Sequence, residues 1–298
     1  MRLFRFAGVN VFLHWSWFLV AMFEINSRGN RYSSLVWNIL EYLALFLIVL
    51  LHEFGHALAC RQVGGVADRI VLWPMGGVAF VNPPPRPGAT LWSIAAGPLV
   101  NVVLLPLITG LGFLSRSLGG IETWPNLHAL LRAVWFINLG LLAFNILPIY
   151  PLDGGQILRS LLWFLIGRAR SLMVATILGF VGVAGFIAMA VWVHSIWFAA
   201  LAGFMLLNCW SGLRHAQALS RLAKLPRRES FACPNCNSAP PVGEHWHCGN
   251  CKQPFDTFVT QGVCPYCATQ FPTTSCSECG RAHPMEKWGV TALVPEVH

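Results

Sequence analysis

Long apolar stretches recur along the first 213 residues of the chain. Each is long enough to cross a hydrocarbon core about 30 Å thick, which takes roughly 17–25 helical residues. The basic start at Arg2 and Arg5 also fits a signal peptide, but no small-residue cleavage site follows. We therefore keep the first stretch and predict six transmembrane helices, near residues 9–25, 35–60, 91–114, 128–149, 171–193 and 196–213.

Composition and charge fit a membrane protein. The chain is 55% hydrophobic and 11% charged, whereas soluble domains have about 25% charged residues. With the N-terminus in the cytoplasm, most arginines and lysines fall inside and only four fall outside, namely Arg28, Arg31, Arg116 and Arg132. The net charge of +8 therefore reflects topology and does not indicate a nucleic-acid partner. We expect a multi-pass protein of the cell membrane with both termini cytoplasmic.

The character of the chain changes after the apolar region. We predict a membrane domain at residues 1–215, a basic linker at 216–230 and a polar tail at 231–298. The tail holds four C-x-x-C pairs: Cys233/Cys236, Cys248/Cys251, Cys264/Cys267 and Cys276/Cys279. Two such pairs complete one closed tetrahedral zinc site. Consecutive pairing into two structural zinc ribbons is favoured over interleaved pairing, and a disulfide framework is disfavoured in a reducing cytoplasm.

Inside the second apolar stretch the chain reads H-E-F-G-H, with His52, Glu53 and His56. Histidines four apart on a helix share one face and can bind one zinc ion, and the glutamate can accept a proton from a zinc-bound water. The alternative is that both histidines are polar contacts between packed helices. Because ionisable groups are costly within a bilayer, we favour a metalloprotease centre.

A catalytic zinc site usually has a third protein ligand. The predicted topology puts Asp153, which follows the fourth span, at the same membrane face as the histidines. Asp68 and Glu229 also lie on that face but in loops, and the opposite face holds Glu24, Glu41 and Glu122. Prolines and glycines around Asp153 break the helix, which fits either a cavity-lining segment or a kinked helix with a glycine cap.

These motifs together resemble the site-2 protease family of intramembrane zinc metalloproteases. The resemblance rests on H-E-F-G-H, on N-I-L-P-I-Y-P-L-D-G-G at 145–155, on G-P-L-V-N at 97–101 and on P-M-G-G at 74–77. It implies His52, His56 and Asp153 as ligands of one catalytic zinc, Glu53 as general base and Asn145 as an oxyanion contact. It also implies an all-α multi-pass membrane fold with a short membrane-associated β-hairpin, here followed by a small zinc-ribbon domain.

The expected activity is hydrolysis of peptide bonds of membrane-protein substrates within or near the bilayer. Residues 70–74 are rich in strand formers and are followed by glycines, which fits pairing with an extended substrate or a hydrophobic cover over the site. A catalytically inactive scaffold that recruits a cytoplasmic partner through the ribbons is the alternative function. A metal-ion transporter is disfavoured, because the polar residues cluster at one depth. For the ribbons, the sequence favours a protein partner over nucleic acid.

Overall fold

The structure is a computed structural model that describes residues 1–27, 32–73 and 76–289. The expectations for Arg28, Arg31, Pro74 and Met75 therefore lie outside the described residues. The chain forms two compact units. The first comprises Met1–Pro83 and Pro87–Ala216, and the second begins at Gln217 and includes Pro84–Arg86.

The first unit is mainly helical. In chain order its helices are α1 Ser16–Ser27, α2 Leu35–Gln62, α3 Pro87–Ser117, α4 Gly120–Thr123, α5 Pro125–Asn145, α6 Asp153–Ile166, α7 Arg168–Val193 and α8 Ile196–Ala223, of which the residues after Ala216 belong to the second unit. Among the described residues, 5 helices are long and apolar enough to cross a membrane: α2, α3, α5, α7 and α8. They correspond to the second through sixth predicted spans, and the predicted multi-pass helical fold is confirmed.

A four-stranded sheet packs against α2. Its strands lie in the order β1 Arg2–Phe6, β2 Val9–Leu13, β3 Val66–Trp73 and β4 Gly76–Asn82, and β2 and β3 are parallel while the other pairs are antiparallel. Alternate side chains of the central strands are buried with Phe54 and Ala57 of α2, namely Val9, Val11, Ile70 and Leu72. The predicted β-hairpin corresponds to β3 and β4, which form half of this four-stranded sheet.

The prediction that residues 9–25 form one transmembrane helix is wrong. Residues 9–13 alternate inward and outward as strand β2, and α1 has only 12 residues, which is about 18 Å of helix. Strand β2 pairs with β3, which follows the C-terminal end of α2, and α1 packs against α2. The Tyr42 hydroxyl of α2 donates to the Trp17 carbonyl of α1 at 2.8 Å.

Helix α3 lies at the centre of the helical unit and packs against α2, α5 and α6. Its approach to α2 is close at Gly55, where a Cβ atom would lie 2.6 Å from the Ala96 carbonyl oxygen and 2.9 Å from a Val100 methyl. The glycine inside H-E-F-G-H therefore brings the backbones of α2 and α3 together.

The second unit consists of short strands around small apolar cores. Strands β5 Trp246–His247 and β6 Pro254–Phe255 form one hairpin, and β7 Thr273–Ser275 and β8 Ala282–Pro284 form another. A bridge between Phe231 and Gly289 joins the first and last described parts of the tail. Trp288 is fully buried among Phe258 and three of the cysteines.

Replacing Gly55 with alanine should destabilise the helical unit. Overpacking typically costs about 1–3 kcal/mol, because the Ala96 backbone cannot move aside without displacing α3. Gly110→Ala is the matched control, since a Cβ atom at that α3 position would meet nothing within 4 Å. Thermal unfolding in detergent should show a lower midpoint for Gly55→Ala only. Equal midpoints would contradict the close packing.

Candidate metal centres

The described residues bring His52, His56 and Asp153 to one point. Both histidines lie on the buried face of α2, and Asp153 is the first residue of α6. The Asp153 Oδ2 atom is 3.0 Å from His52 Nε2 and 3.3 Å from His56 Nε2, and the two Nε2 atoms are 3.1 Å apart. Three potential metal ligands from two helices thus converge.

This donor set fits zinc. Zinc binds imidazole nitrogen and carboxylate oxygen at about 2.0–2.2 Å in tetrahedral geometry, which places the ligand atoms about 3.3 Å apart. The three observed separations of 3.0 to 3.3 Å match that edge. Gly97 of α3 leaves the space, because a Cβ atom there would lie 2.3 Å from His56 Nε2 and 2.9 Å from His52 Nε2.

The other nitrogen of each imidazole is held by α3. His52 Nδ1 donates to Asn101 Oδ1 at 2.6 Å, and His56 Nδ1 donates to the Ser93 carbonyl at 2.9 Å. With Nδ1 as the donor, each ring turns the lone pair of Nε2 toward Asp153. This arrangement of outer contacts is typical of histidines that bind metal, because it fixes the tautomer and the orientation of the ring.

Asn101 is itself held by a residue that the motifs do not contain. Its Nδ2 donates to Asn138 Oδ1 at 2.7 Å, and Asn138 Nδ2 donates back to the Asn101 carbonyl at 2.9 Å. Both amides are fully buried. Asn101 belongs to the G-P-L-V-N motif, whereas Asn138 and Ser93 lie outside every motif recognised in the sequence. An asparagine in the middle of an apolar span was the available signal for Asn138.

Glu53 lies beside the two histidines on α2 and is 6% exposed. Its Oε2 accepts a hydrogen bond from the Ala79 amide of β4 at 2.7 Å. Gly77 of β4 passes so close that a Cβ atom would lie 2.3 Å from Glu53 Cγ. The sheet therefore orients the glutamate, and a glycine in the resemblance motif provides the space.

The segment at 146–152 joins α5 to Asp153 and folds back over the start of α6. A Cβ atom at Gly154 would lie 2.3 Å from the Ile146 carbonyl oxygen, and one at Gly155 would lie 2.4 Å from the Tyr150 amide nitrogen. The paired glycines therefore allow the turn that delivers Asp153. Asn145 is the last residue of α5 and is partly exposed. Its side chain donates no hydrogen bond to another described residue, and its catalytic role stays a prediction.

The eight tail cysteines form two clusters, but consecutive pairing is wrong. The first pair joins the last, as Cys233, Cys236, Cys276 and Cys279, and the two middle pairs join each other, as Cys248, Cys251, Cys264 and Cys267. The arrangement is nested and differs from the interleaved alternative as well. The bridge between Phe231 and Gly289 joins the two ends of the tail and is consistent with this pairing of the first and last cysteine pairs.

Both clusters fit closed zinc sites. The closest sulfur pairs are 3.5 to 3.7 Å apart, near the edge of about 3.8 Å that a tetrahedral site with four thiolates requires. All eight cysteines are free of disulfides. The Thr269 hydroxyl, 3.1 Å from the Cys267 sulfur, and the Thr269 amide lower the pKa of that thiol to about 6. A thiolate is the form that binds metal.

The fold and the first cluster define a class of protein: a multi-pass membrane protein with a buried metal site of two histidines and one carboxylate beside a glutamate. Two family models match the chain, Peptidase M50B-like over residues 31–150 and Peptidase family M50 over residues 116–189. The chain belongs to the site-2 protease family, peptidase family M50.

Individual relatives agree with this assignment. The chain is 33% identical to Zinc metalloprotease MJ0392 of Methanocaldococcus jannaschii over 60% of this chain and 50% of that protein. It is 35% identical to Stage IV sporulation protein FB of Bacillus subtilis over 39% of this chain and 38% of that protein. The solved Site-2 Protease from Methanocaldococcus jannaschii matches with a TM-score of 0.51 and 25% identity, over 72% of this chain and 94% of that chain. The chain thus spans about half or less of these two curated relatives.

Replacing Asn138 with leucine should weaken zinc binding at the histidine cluster. Loss of such an outer contact typically costs about 10–100-fold in metal affinity, because Asn101 would no longer be held against His52. Asn208→Leu is the control, since Asn208 donates to Phe204 in its own helix. Zinc content measured against rising chelator should show one ion released earlier in Asn138→Leu. Coinciding release curves would contradict the role.

The nested pairing predicts how double variants change zinc content. Cys236→Ser with Cys276→Ser removes two ligands of one cluster and should lose one zinc per chain, because the other cluster stays complete. Cys264→Ser with Cys276→Ser damages both clusters and should lose two. Consecutive pairing requires the opposite pattern, with two lost in the first variant and one in the second. Elemental analysis of the purified full chain distinguishes them.

Proposed function

We propose that the chain is an intramembrane zinc metalloprotease that hydrolyses peptide bonds of membrane-protein substrates within or near the bilayer, as a step of regulated intramembrane proteolysis. The observation that carries the proposal is the convergence of His52, His56 and Asp153 at 3.0 to 3.3 Å, with Glu53 beside them. Family membership and the zinc metalloprotease named among the relatives support it.

The residues around the cluster would divide the chemistry among them. His52, His56 and Asp153 would hold a zinc ion, which would supply Lewis acidity for the peptide carbonyl and for the attacking water. Glu53 accepts the proton of that water and passes it to the leaving amine. The Asn145 amide donates to the carbonyl oxygen as negative charge develops there, a contact typically worth about 3 kcal/mol. The Ala79 amide keeps the Glu53 carboxylate oriented while it does so.

The sheet suggests where an extended substrate binds. Helical substrates hide their carbonyls, so a cleavable segment must be unwound. Strand β3 was the expected pairing partner, but it lies between β2 and β4 and both of its edges are occupied. The edge strand beside the site is β4, whose Ala79 amide already contacts Glu53. We therefore place the substrate strand along β4, next to the proposed general base.

The proposal also includes the orientation of the chain in the membrane and the role of the cysteine-rich tail. Sheet and metal cluster lie at the C-terminal end of α2, near Arg61 and Arg69, so this end would face the cytoplasm of a cell membrane. Both termini would then be cytoplasmic.

The two cysteine clusters would each hold one structural zinc, because four thiolates leave no open position. The exposed side chains of Val259 and Tyr266 would suit contact with a cytoplasmic protein partner.

Glu53→Gln tests this function against the inactive scaffold. The amide keeps the shape of the side chain but cannot accept a proton, so cleavage should fall by about 10²–10⁴-fold while zinc content stays unchanged. Glu122→Gln, in the exposed turn of α4, is the matched control and should cleave normally. The assay is cleavage of a single-span reporter in proteoliposomes. Unchanged cleavage by Glu53→Gln would contradict the mechanism, and absence of cleavage by the unmodified chain would favour the scaffold.

A further inference from the structure

The outer face of the four-stranded sheet, turned away from α2, carries a positive charge beside strand β4. Ile70 and Leu72 of β3 are buried in the core with residues of α2. Because successive side chains of a strand alternate, Arg69 projects from the opposite face. Its guanidinium carbon lies over the ring of Phe80, 4.2 Å from the ring centre, and Phe80 is the residue of β4 that pairs with it. The Arg69 side chain therefore reaches across one strand toward the edge of the sheet.

The guanidinium group of Arg69 can bind a further partner. In the described part of the chain it forms no ion pair and no hydrogen bond, and the acidic residue before it, Asp68, does not neutralise it directly. Arg69 is exposed, and the Phe80 ring below it is 43% exposed. A cation over an aromatic face keeps N–H groups that can still donate hydrogen bonds.

Strand β4 is an edge strand of the described sheet. The Ala79 amide donates to Glu53 at 2.7 Å, so this amide points away from β3 and toward the open edge. Ala79 packs against the core, whereas Val78 and Phe80 project from the outer face and are 42% and 43% exposed. A strand added at this edge would place alternate side chains beside Phe80 on that outer face.

We propose that Arg69 selects substrates by charge, favouring an acidic residue and disfavouring a basic one at the substrate position beside Phe80. This inference rests on the proposed function, in which the substrate strand lies along β4. Neighbouring strands are about 4.8 Å apart, so that position is two spacings from the Arg69 backbone, and the guanidinium group already crosses the first. An acidic side chain would complete a charge pair over the Phe80 ring, and a lysine or arginine there would be repelled.

This preference defines a class of substrate. In the proposed orientation β4 lies on the cytoplasmic side, where the flanks of membrane spans usually carry lysine and arginine. A basic flank that paired with β4 would meet Arg69 and bind weakly. A span whose flank has aspartate or glutamate next to the cleaved bond would bind well. Arg69 lies on the face of the sheet opposite to α2, so it would select substrates without taking part in the chemistry.

The test is a charge scan of the cleaved segment. Glutamate or lysine is placed in turn at each position around the cleaved bond of a single-span reporter, and kcat/KM is measured in proteoliposomes. We expect glutamate to be preferred over lysine by about three- to tenfold at one position. A smaller preference should appear two residues away, since side chains two apart on a strand share a face. Arg69→Glu should invert the preference at those positions.

Arg5→Glu is the matched control. Arg5 is exposed on β1, at the opposite edge of the same sheet, and its replacement changes the net charge equally. The charge scan of Arg5→Glu should match that of the unmodified chain. A preference that Arg69→Glu leaves unchanged, or that Arg5→Glu shifts as much, would overturn the inference.

A binding measurement separates this inference from the proposed function. Labelled peptides of the cleaved segment, with glutamate or lysine at the selected position, are titrated with the full Glu53→Gln chain loaded with zinc, and Kd is read by fluorescence anisotropy. Glutamate should bind more tightly, and adding Arg69→Glu should reverse the order. If no reporter is cleaved but this order holds, the protease proposal fails and the role of Arg69 stands. Binding that does not depend on Arg69, or absence of binding, would contradict that role.

Discussion

The structure depends on placing two imidazoles and a carboxylate where water is scarce. Such groups are tolerated within a membrane protein only when every polar atom has a partner. Here the inward-facing atoms meet one another, and the outward-facing nitrogens donate to Asn101 and Ser93 of α3. Helix α3 is therefore more than a packing partner for α2. Its polar face completes the hydrogen bonding that allows the histidines to lie buried between apolar helices.

The same constraint explains the glycines and the irregular backbone around the cluster. Gly97 and Gly77 lie where α3 and β4 approach the site more closely than a side chain would allow, and Gly55 lies where α2 approaches the backbone of α3. The segment at 146–152 leaves helical geometry between apolar helices, and it contacts α6, α7 and α8. Its Tyr150 carbonyl accepts a hydrogen bond from Cys209 of α8 at 3.2 Å. Irregular backbone survives because neighbouring helices satisfy it.

Sequence alone could predict the parts of this site that depend on local geometry. The spacing of His52 and His56 places both on one helix face, and the predicted membrane topology places Asp153 at the same membrane face as the histidines. What could not be predicted depends on tertiary contacts. Asn138 carries no motif, and strand β2 reads as part of an apolar span because its pairing with β3 is remote in sequence. The cysteine spacings of the tail are compatible with several pairings, and the nested one depends on contacts between the two ends of the tail, such as the bridge between Phe231 and Gly289.

The two kinds of metal cluster differ in ligand number, and that difference separates their roles. Two histidines and one aspartate leave a coordination position for a reactant, whereas four thiolates leave none. The tail has small cores, so its closed sites would substitute for the apolar area that a larger domain would bury. Nesting makes the two sites unequal. The outer cluster joins Cys233 to Cys279 and encloses the inner one, so it closes the longer loop and restricts the unfolded chain more strongly.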